Sequence, residues 1–195
     1  YRSRHESLIA VSNAKFYDNG LVTFPSPVQG GAELGVRYHH LPDTTYDRGG
    51  SRTNREEAGV VARAVMDHAR ETPELTLGVA AFSQAQAEAL QLEVEQLRRA
   101  DPSLESFFGS HSAEPFFIKN IENVQGDERD VILISVGYGR DARGQVTMNF
   151  GPLNREGGER RLNVLITRAR RRCEVFTNLK AEDIRVTPQT PRGVA

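Results

Sequence analysis

Arginine, more than any other residue type, marks where this chain could do chemistry. Between Arg155 and Arg172 lie seven arginines (155, 160, 161, 168, 170, 171 and 172) against Glu156 and Glu159. That is a local surplus of +5 in a chain whose formal net charge is −1. A guanidinium presents a planar fork of donors that fits phosphate and carboxylate oxygens two at a time, so such a surplus suits an anionic partner or nucleic acid. A solvated helix face with balancing acids nearby reads the same way in sequence. The whole chain has 25 basic residues, and only Lys15, Lys119 and Lys180 are lysine. A GC-rich genome gives the same bias without any chemical cause. None of the three lysines follows a glycine, so the Gly-Lys-Ser/Thr core of a phosphate-binding P-loop is absent.

Other constellations are weaker. His39-His40 with Asp43 suggests a metal, yet adjacent residues of a strand point to opposite faces, which argues against a shared ion. Cys173 is the only cysteine; it excludes an internal disulfide, and its apolar neighbours make it a packing residue. No Glu-x-Lys occurs to support a nuclease centre.

The elements that must carry these residues alternate between two periodicities. Helices are expected from the first residues through Ile9, Ser12 and Phe16, over 55–71 behind an Asn54 cap, from Ser83 to about Arg99, and from about Glu159 to Arg170. Ser83 with Gln86, like Asn54 with Glu57, has capping-box spacing. Strands are expected at 35–40, Leu75 to Phe82, Phe116 to Lys119, Val131 to Val136 and Cys173 to Phe176, with an extended piece at Val146 to Phe150. Val131 to Val136 is apolar at every position, as a parallel strand covered on both faces requires. Strands separated by helices imply an α/β fold with a parallel sheet flanked by helices.

At 195 residues, the chain has room for one ordinary domain with a real core. Its 26% charged residues are ordinary, which sets aside disorder, collagen and coiled coil. No run approaches the roughly 18 apolar residues of a membrane span, and the start has no signal-peptide core, so a cytoplasmic protein with no membrane partner is expected. Both ends read as cuts through a longer protein: residues 1–185 as the domain, and 186–195 as the start of a linker or following segment.

Four segments together resemble a known family. Arg160-Arg161-Leu162-Asn163-Val164-Leu165-Ile166-Thr167-Arg168-Ala169-Arg170 resembles motif VI of superfamily-one helicases, most narrowly the group containing the nonsense-mediated-decay and Okazaki-fragment helicases. Val124-Gln125-Gly126-Asp127-Glu128-Arg129-Asp130 resembles their motif V. Leu77 to Gln86 resembles the strand-to-helix segment that touches the nucleic-acid backbone. Tyr1-Arg2-Ser3-Arg4-His5 resembles the start of their second RecA-like domain.

The resemblance implies a C-terminal RecA-like domain without its own P-loop, working against the first RecA-like domain of the same parent chain. That partner would hold most of the ATP and its Mg2+, and single-stranded DNA or RNA would be the substrate, traversed 5′ to 3′. It implies that Arg2 and Arg168 reach the γ-phosphate, Glu128 bonds the ribose and Tyr1 stacks on the adenine. Gly126 would shape the motif V turn, and Ser83, Gln86 and Gln125 would contact nucleic acid. No residue is assigned to a metal. Each residue also fits a plainer role: Glu128 and Gly126 as turn residues, Ser83 and Gln86 as caps of their own helix. The usual Thr-Pro before that helix is Ala81-Phe82 here. The alternative function is a nucleic-acid-binding or regulatory module whose parent has lost its ATPase. Under the helicase reading, the chain alone is expected to be inactive.

Overall fold

A computed structural model describes residues 3–23, 34–110 and 113–194. Within these lie helices α1 (Ser7–Phe16), α2 (Arg55–Glu71), α3 (Gln84–Ala100), α4 (Glu105–Ser110) and α5 (Gly158–Ile166). The strands are β1 (Gly35–His40), β2 (Leu77–Ala81), β3 (Phe117–Asn120), β4 (Arg129–Ser135) and β5 (Ala169–Thr177). They form one sheet in the order β1-β5-β4-β2-β3, with every neighbouring pair parallel. The expected α/β class is therefore the observed one.

The all-apolar run in β4 serves two cores at once. Val131 and Leu133 face α2 and α3, packing with Val61, Val65, Leu90 and Val94. Ile132 and Ile134 face the opposite side, with Leu8 of α1, Leu165 of α5, Leu153 and Cys173. Alternate side chains of a strand point to opposite faces, so a strand sandwiched between two helical layers has no polar face to show. Burial pushes the Cys173 thiol up to about 12, in keeping with a packing role.

Both expected caps exist: Asn54 accepts from the Glu57 N–H at 3.0 Å, and Ser83 Oγ accepts from the Gln86 N–H at 3.1 Å. α5 starts differently. Gly157 has φ +73°, and a Cβ on Gly158 would stand 2.1 Å from the Leu153 carbonyl oxygen, so only glycine lets the helix begin this close to its neighbour.

Three expectations fail, the first two for a common reason. The last helix ends at Ile166 instead of Arg170, and its strand begins at Ala169 instead of Cys173. The three arginines 170–172 read as a helical charge cluster, but tertiary partners draw them into the sheet. Arg172 pairs in register with Val131 and Gly35, and its Nε lies 2.6 Å from Glu174. Val146 to Phe150 forms no strand; a single antiparallel bridge joins Arg140 to Val146, and a 3-10 turn follows over Gly151–Asn154. Near the end of the described chain, Gly193 is buried against Leu153 and Gly158, and Val194 packs on the second core.

Candidate functional site

With all strands parallel, the sheet has two distinct rims, and the sequence-predicted residues divide between them. At the rim where strands begin, Arg168 occupies the turn between α5 and β5. Thr167 Oγ1 donates to the Asn163 and Val164 carbonyls, each at 2.9 Å, and Arg168 Nε donates to the Val164 carbonyl at 2.8 Å. These bonds satisfy the open carbonyls of the helix end and place a cation at its negative pole. Arg168 Nη1 lies 3.8 Å from Glu128 Oε1, and the Arg129 N–H donates to the Arg168 carbonyl at 3.2 Å. Residues 40 apart in sequence, from two different motifs, are thereby held side by side.

Gly126 delivers Glu128 to this position. Its φ is +89° with nothing near its missing Cβ, so backbone conformation is what demands glycine there. Glu128 and Arg168 line a cavity of about 590 Å³ together with Ser3, Tyr17, Asn163 and Thr167. Asn163 is fixed by Ser12 Oγ, which donates to its Oδ1 at 2.5 Å. Tyr1 and Arg2, the other residues expected here, lie outside the described residues.

A second layer of charge holds the turn. Arg170 bonds both oxygens of Glu114, and its Nε is 3.3 Å from Asp130. The Arg170 guanidinium holds the Glu114 carboxyl below the usual carboxylate range, and Glu114 in return raises Arg170. Arg129 lies over the Phe117 ring at 4.9 Å and donates to the Pro115 carbonyl. Three of the seven clustered arginines, 170 to 172, are thus strand residues, and 170 and 172 have carboxylate partners.

At the opposite rim, where strands end, Ser83 opens on a cavity of about 690 Å³. Gln86 does not join it: the side chain expected to contact nucleic acid is fully buried. Its Nε2 donates to the Asn54 carbonyl and to Ser135 Oγ, both at 3.0 Å, and its Oε1 accepts from the Asn54 N–H at 2.8 Å. With its amide spent inside, Gln86 has only its backbone N–H toward the helix end, and Ser83 already caps that. Beside it, Glu57 Oε1 accepts from Ser135 Oγ at 2.6 Å and from the Gly137 N–H at 2.8 Å. Burial pushes the Glu57 carboxyl up to about 7 despite those bonds. This closed polar network joins the starts of α2 and α3 to the end of β4. Its spacing in sequence matched capping boxes, so the inward turn of Gln86 left no separate signal.

Gln125 is exposed on the Gly126 turn and lines neither cavity. Phe82, which replaces the family's proline, packs on the second core. Of the histidine pair, His39 Nε2 bonds Glu174 Oε2 at 2.6 Å, and no group of three metal-ligating side chains occurs among the described residues. No helix among those residues is long and apolar enough to cross a membrane.

The family model described as AAA domain matches residues 1–180. Two curated relatives are described as uncharacterized ATP-dependent helicases. The one from Mycoplasma pneumoniae is 35% identical over 189 residues, and the one from Mycoplasma genitalium is 34% identical over 187. Each match covers 94% of this chain and 16% of the relative, so the chain spans about a sixth of the length of the curated relatives it matches. Among solved structures, the C-terminal domain of a possible DNA helicase from Lactobacillus plantarum WCFS1 aligns over 95% of this chain and 94% of its own. That alignment has a TM-score of 0.47 and 13% identity.

Proposed function

The chain belongs to the AAA-domain family, and from that premise we propose that it is the second motor half of an ATP-dependent helicase of superfamily one. In this reading it completes a nucleotide site on a partner domain of the parent chain and grips single-stranded DNA or RNA at its other rim. The observation that carries the proposal is the meeting of Arg168 and Glu128 at one cavity, 3.8 Å apart, from two separate motifs.

Their chemistry divides naturally. Glu128 can accept from the hydroxyls of a ribose, and Arg168 can donate to the oxygens of a terminal phosphate. Among the described residues the lining offers the Arg168 guanidinium and the Glu128 carboxylate, a pair that suits the sugar and the outermost phosphate; in this reading the partner domain holds Mg2+ and the inner phosphates. ATP with its metal supplies the scissile phosphoanhydride bond. Arg168 now bonds a neutral carbonyl and stands near one carboxylate; a phosphoryl oxygen offers a shorter, charge-assisted bond to the same fork. Moving to it would neutralise charge that grows in the transition state, an effect worth about 10³ to 10⁵ in rate where arginine fingers act. Arg2, by resemblance, is a second such donor, Tyr1 the adenine platform and Gln125 a nucleic-acid contact from the turn before β4, apart from the grip at the other rim.

The test is Arg168→Ala in the intact parent. Nucleic-acid-stimulated ATPase should fall by about 10³-fold or more while the protein stays folded; near-normal turnover would sink the proposal. The 195-residue chain by itself should hydrolyse no ATP. A parent with no ATPase at all would favour the regulatory-module reading instead.

A further inference from the structure

The cavity beside Ser83 is built by three loops that leave the ends of β1, β2 and β4. Ligands of open parallel sheets commonly bind outside the carboxyl ends of strands, where such loops diverge. Among the described residues its lining includes Arg48, Arg52 and Arg155, two tyrosines and no carboxylate. That is unusual in a chain of net charge −1.

The two acids close by, Asp47 and Asp141, lie outside the lining and are held by backbone donors, and Asp141 also feels the charge of Arg48. Asp47 accepts from the Gly50 and Ser51 N–H groups at 3.0 and 2.7 Å, and Asp141 accepts from the Arg143 and Gln145 N–H groups. Among the described residues Arg48 and Arg52 have no carboxylate within ion-pair distance; Arg155 has only an exposed contact with Glu122 at 4.0 Å. The loop that carries Arg48 and Arg52 is stiffened by Asp47, and Arg52 adopts φ +58°, a left-handed conformation that an arginine takes at a cost.

The rings are placed as firmly. Tyr46 and Tyr138 meet edge to face, centroids 5.5 Å apart, and Tyr138 packs likewise on Phe150. A Cβ on Gly151 would stand 2.2 Å from the Tyr138 hydroxyl, so glycine is what makes room for it. The Tyr46 N–H is bound to the Arg140 carbonyl at 2.9 Å, fixing its loop to the β4 side.

We propose that this cavity holds one nucleotide unit of a single strand, with its flanking phosphates on Arg48, Arg52 and Arg155 and its base lying on the Tyr46 ring. The inference rests on the helicase reading above and deepens it, because none of the motifs that suggested that reading contains these four residues. A single strand is favoured because a base must leave its stack to reach Tyr46. A flat ring beside clustered guanidinia supplies both halves of such a site, stacking and charge.

The experiment titrates the 195-residue chain into fluorescein-labelled oligothymidylate and follows anisotropy across a salt series. It compares the wild type, the triple variant Arg48→Gln/Arg52→Gln/Arg155→Gln and Tyr46→Ala, each checked for unchanged circular dichroism and melting. The triple variant should bind about tenfold or more weakly and lose about 2 from the slope of log K against log salt, close to 0.7 for each phosphate contact removed. Tyr46→Ala should weaken binding about fivefold or more on oligothymidylate, and leave an abasic strand of the same length unaffected.

If the wild type binds and the triple variant binds equally, the cavity is not the strand site and the helicase reading stands. If Tyr46→Ala weakens the abasic strand equally, the base position is wrong. If millimolar thymidine monophosphate displaces the strand as well as an unlabelled oligomer does, the cavity is a free-nucleotide site and the proposal fails. A wild-type chain that binds no strand overturns this inference together with the nucleic-acid half of the proposed function, while the ATPase test of Arg168 stands independently. A variant that fails to fold is replaced by its single Arg48→Gln counterpart, for which the expected slope change is about 0.7.

Discussion

The two rims of the sheet solve the problem of placing arginine in opposite ways. Where strands begin, positive charge is tied down: Arg168 lies against a helix end and beside Glu128, and Arg170 is clasped by Glu114 and Asp130. Where strands end, Arg48 and Arg52 face a cavity with no acid in its lining, and the order beneath them comes from the uncharged side chains Asn54, Gln86 and Ser135 together with the buried Glu57. A guanidinium with a ready-made partner can change partners at little net cost. One with no carboxylate at ion-pair distance keeps more of its field, although Arg48 donates to the Thr147 hydroxyl. The first arrangement suits a contact made and broken in each turnover, the second a continuous hold on a polyanion.

This contrast can be broken by separating effects on turnover from effects on stability. Arg168→Ala, with its expected loss of about 10³-fold in ATPase, should shift the melting temperature by only a few degrees, since its ion pair is 3.8 Å long and its bonds cap one helix end. A large loss of stability would mean that the strand-start rim is as structural as the other. Gln86→Leu should do the reverse. It strands the buried Asn54 N–H and takes one of two bonds each from the Asn54 carbonyl, which keeps the Ala58 N–H, and the Ser135 hydroxyl, which keeps Glu57. A cost of about 3 kcal/mol in urea unfolding is expected from stranding such groups.

Glu57 sharpens the same point through pH. Its carboxyl titrates near 7 when folded and near 4.5 when unfolded, so between those values the unfolded chain gives up its proton first. Stability from this group is complete below about pH 4.5 and is lost as pH rises to about 7, a total near 3 kcal/mol. Glu57→Gln, which keeps an acceptor for Ser135 and Gly137, should flatten that slope in unfolding curves measured from pH 4.5 to 7.5. An unchanged slope would assign it to another group. The smallest effect belongs to Lys119→Ala. Its contact with Asp127 at 2.7 Å is partly exposed, and unfolding should register a change of about 0.5 kcal/mol or less.

Much of the scaffold was legible because local chemistry and global position agreed. Asn54 and Ser83 cap where capping residues should, and the unbroken apolar run of β4 serves two cores. The strand-start site was legible because its residues sit inside two short motifs. What escaped was decided by partners distant in sequence. Arg170 to Arg172 belong to a strand because carboxylates 2 to 56 residues away receive Arg170 and Arg172. Gln86 turns inward toward Asn54 and Ser135, 32 and 49 residues away. Tyr46 and Tyr138 meet only when the sheet brings two loops together, and each loop taken singly is an ordinary polar connection.

The β4 strand has a mechanical consequence. Glu128 immediately precedes it, and Gly137, the glycine bound by Glu57, follows its end by two residues. The strand is buried at nearly every position and paired on both sides, and it is about 20 Å long at the usual rise per residue. It behaves as a stiff rod with a nucleotide contact proposed at one tip and a strand contact at the other. Tilting such a rod by about 10° around its Glu128 end would sweep the far tip through about 3.5 Å, so a small rotation at the nucleotide rim would become a displacement of ångströms at the other.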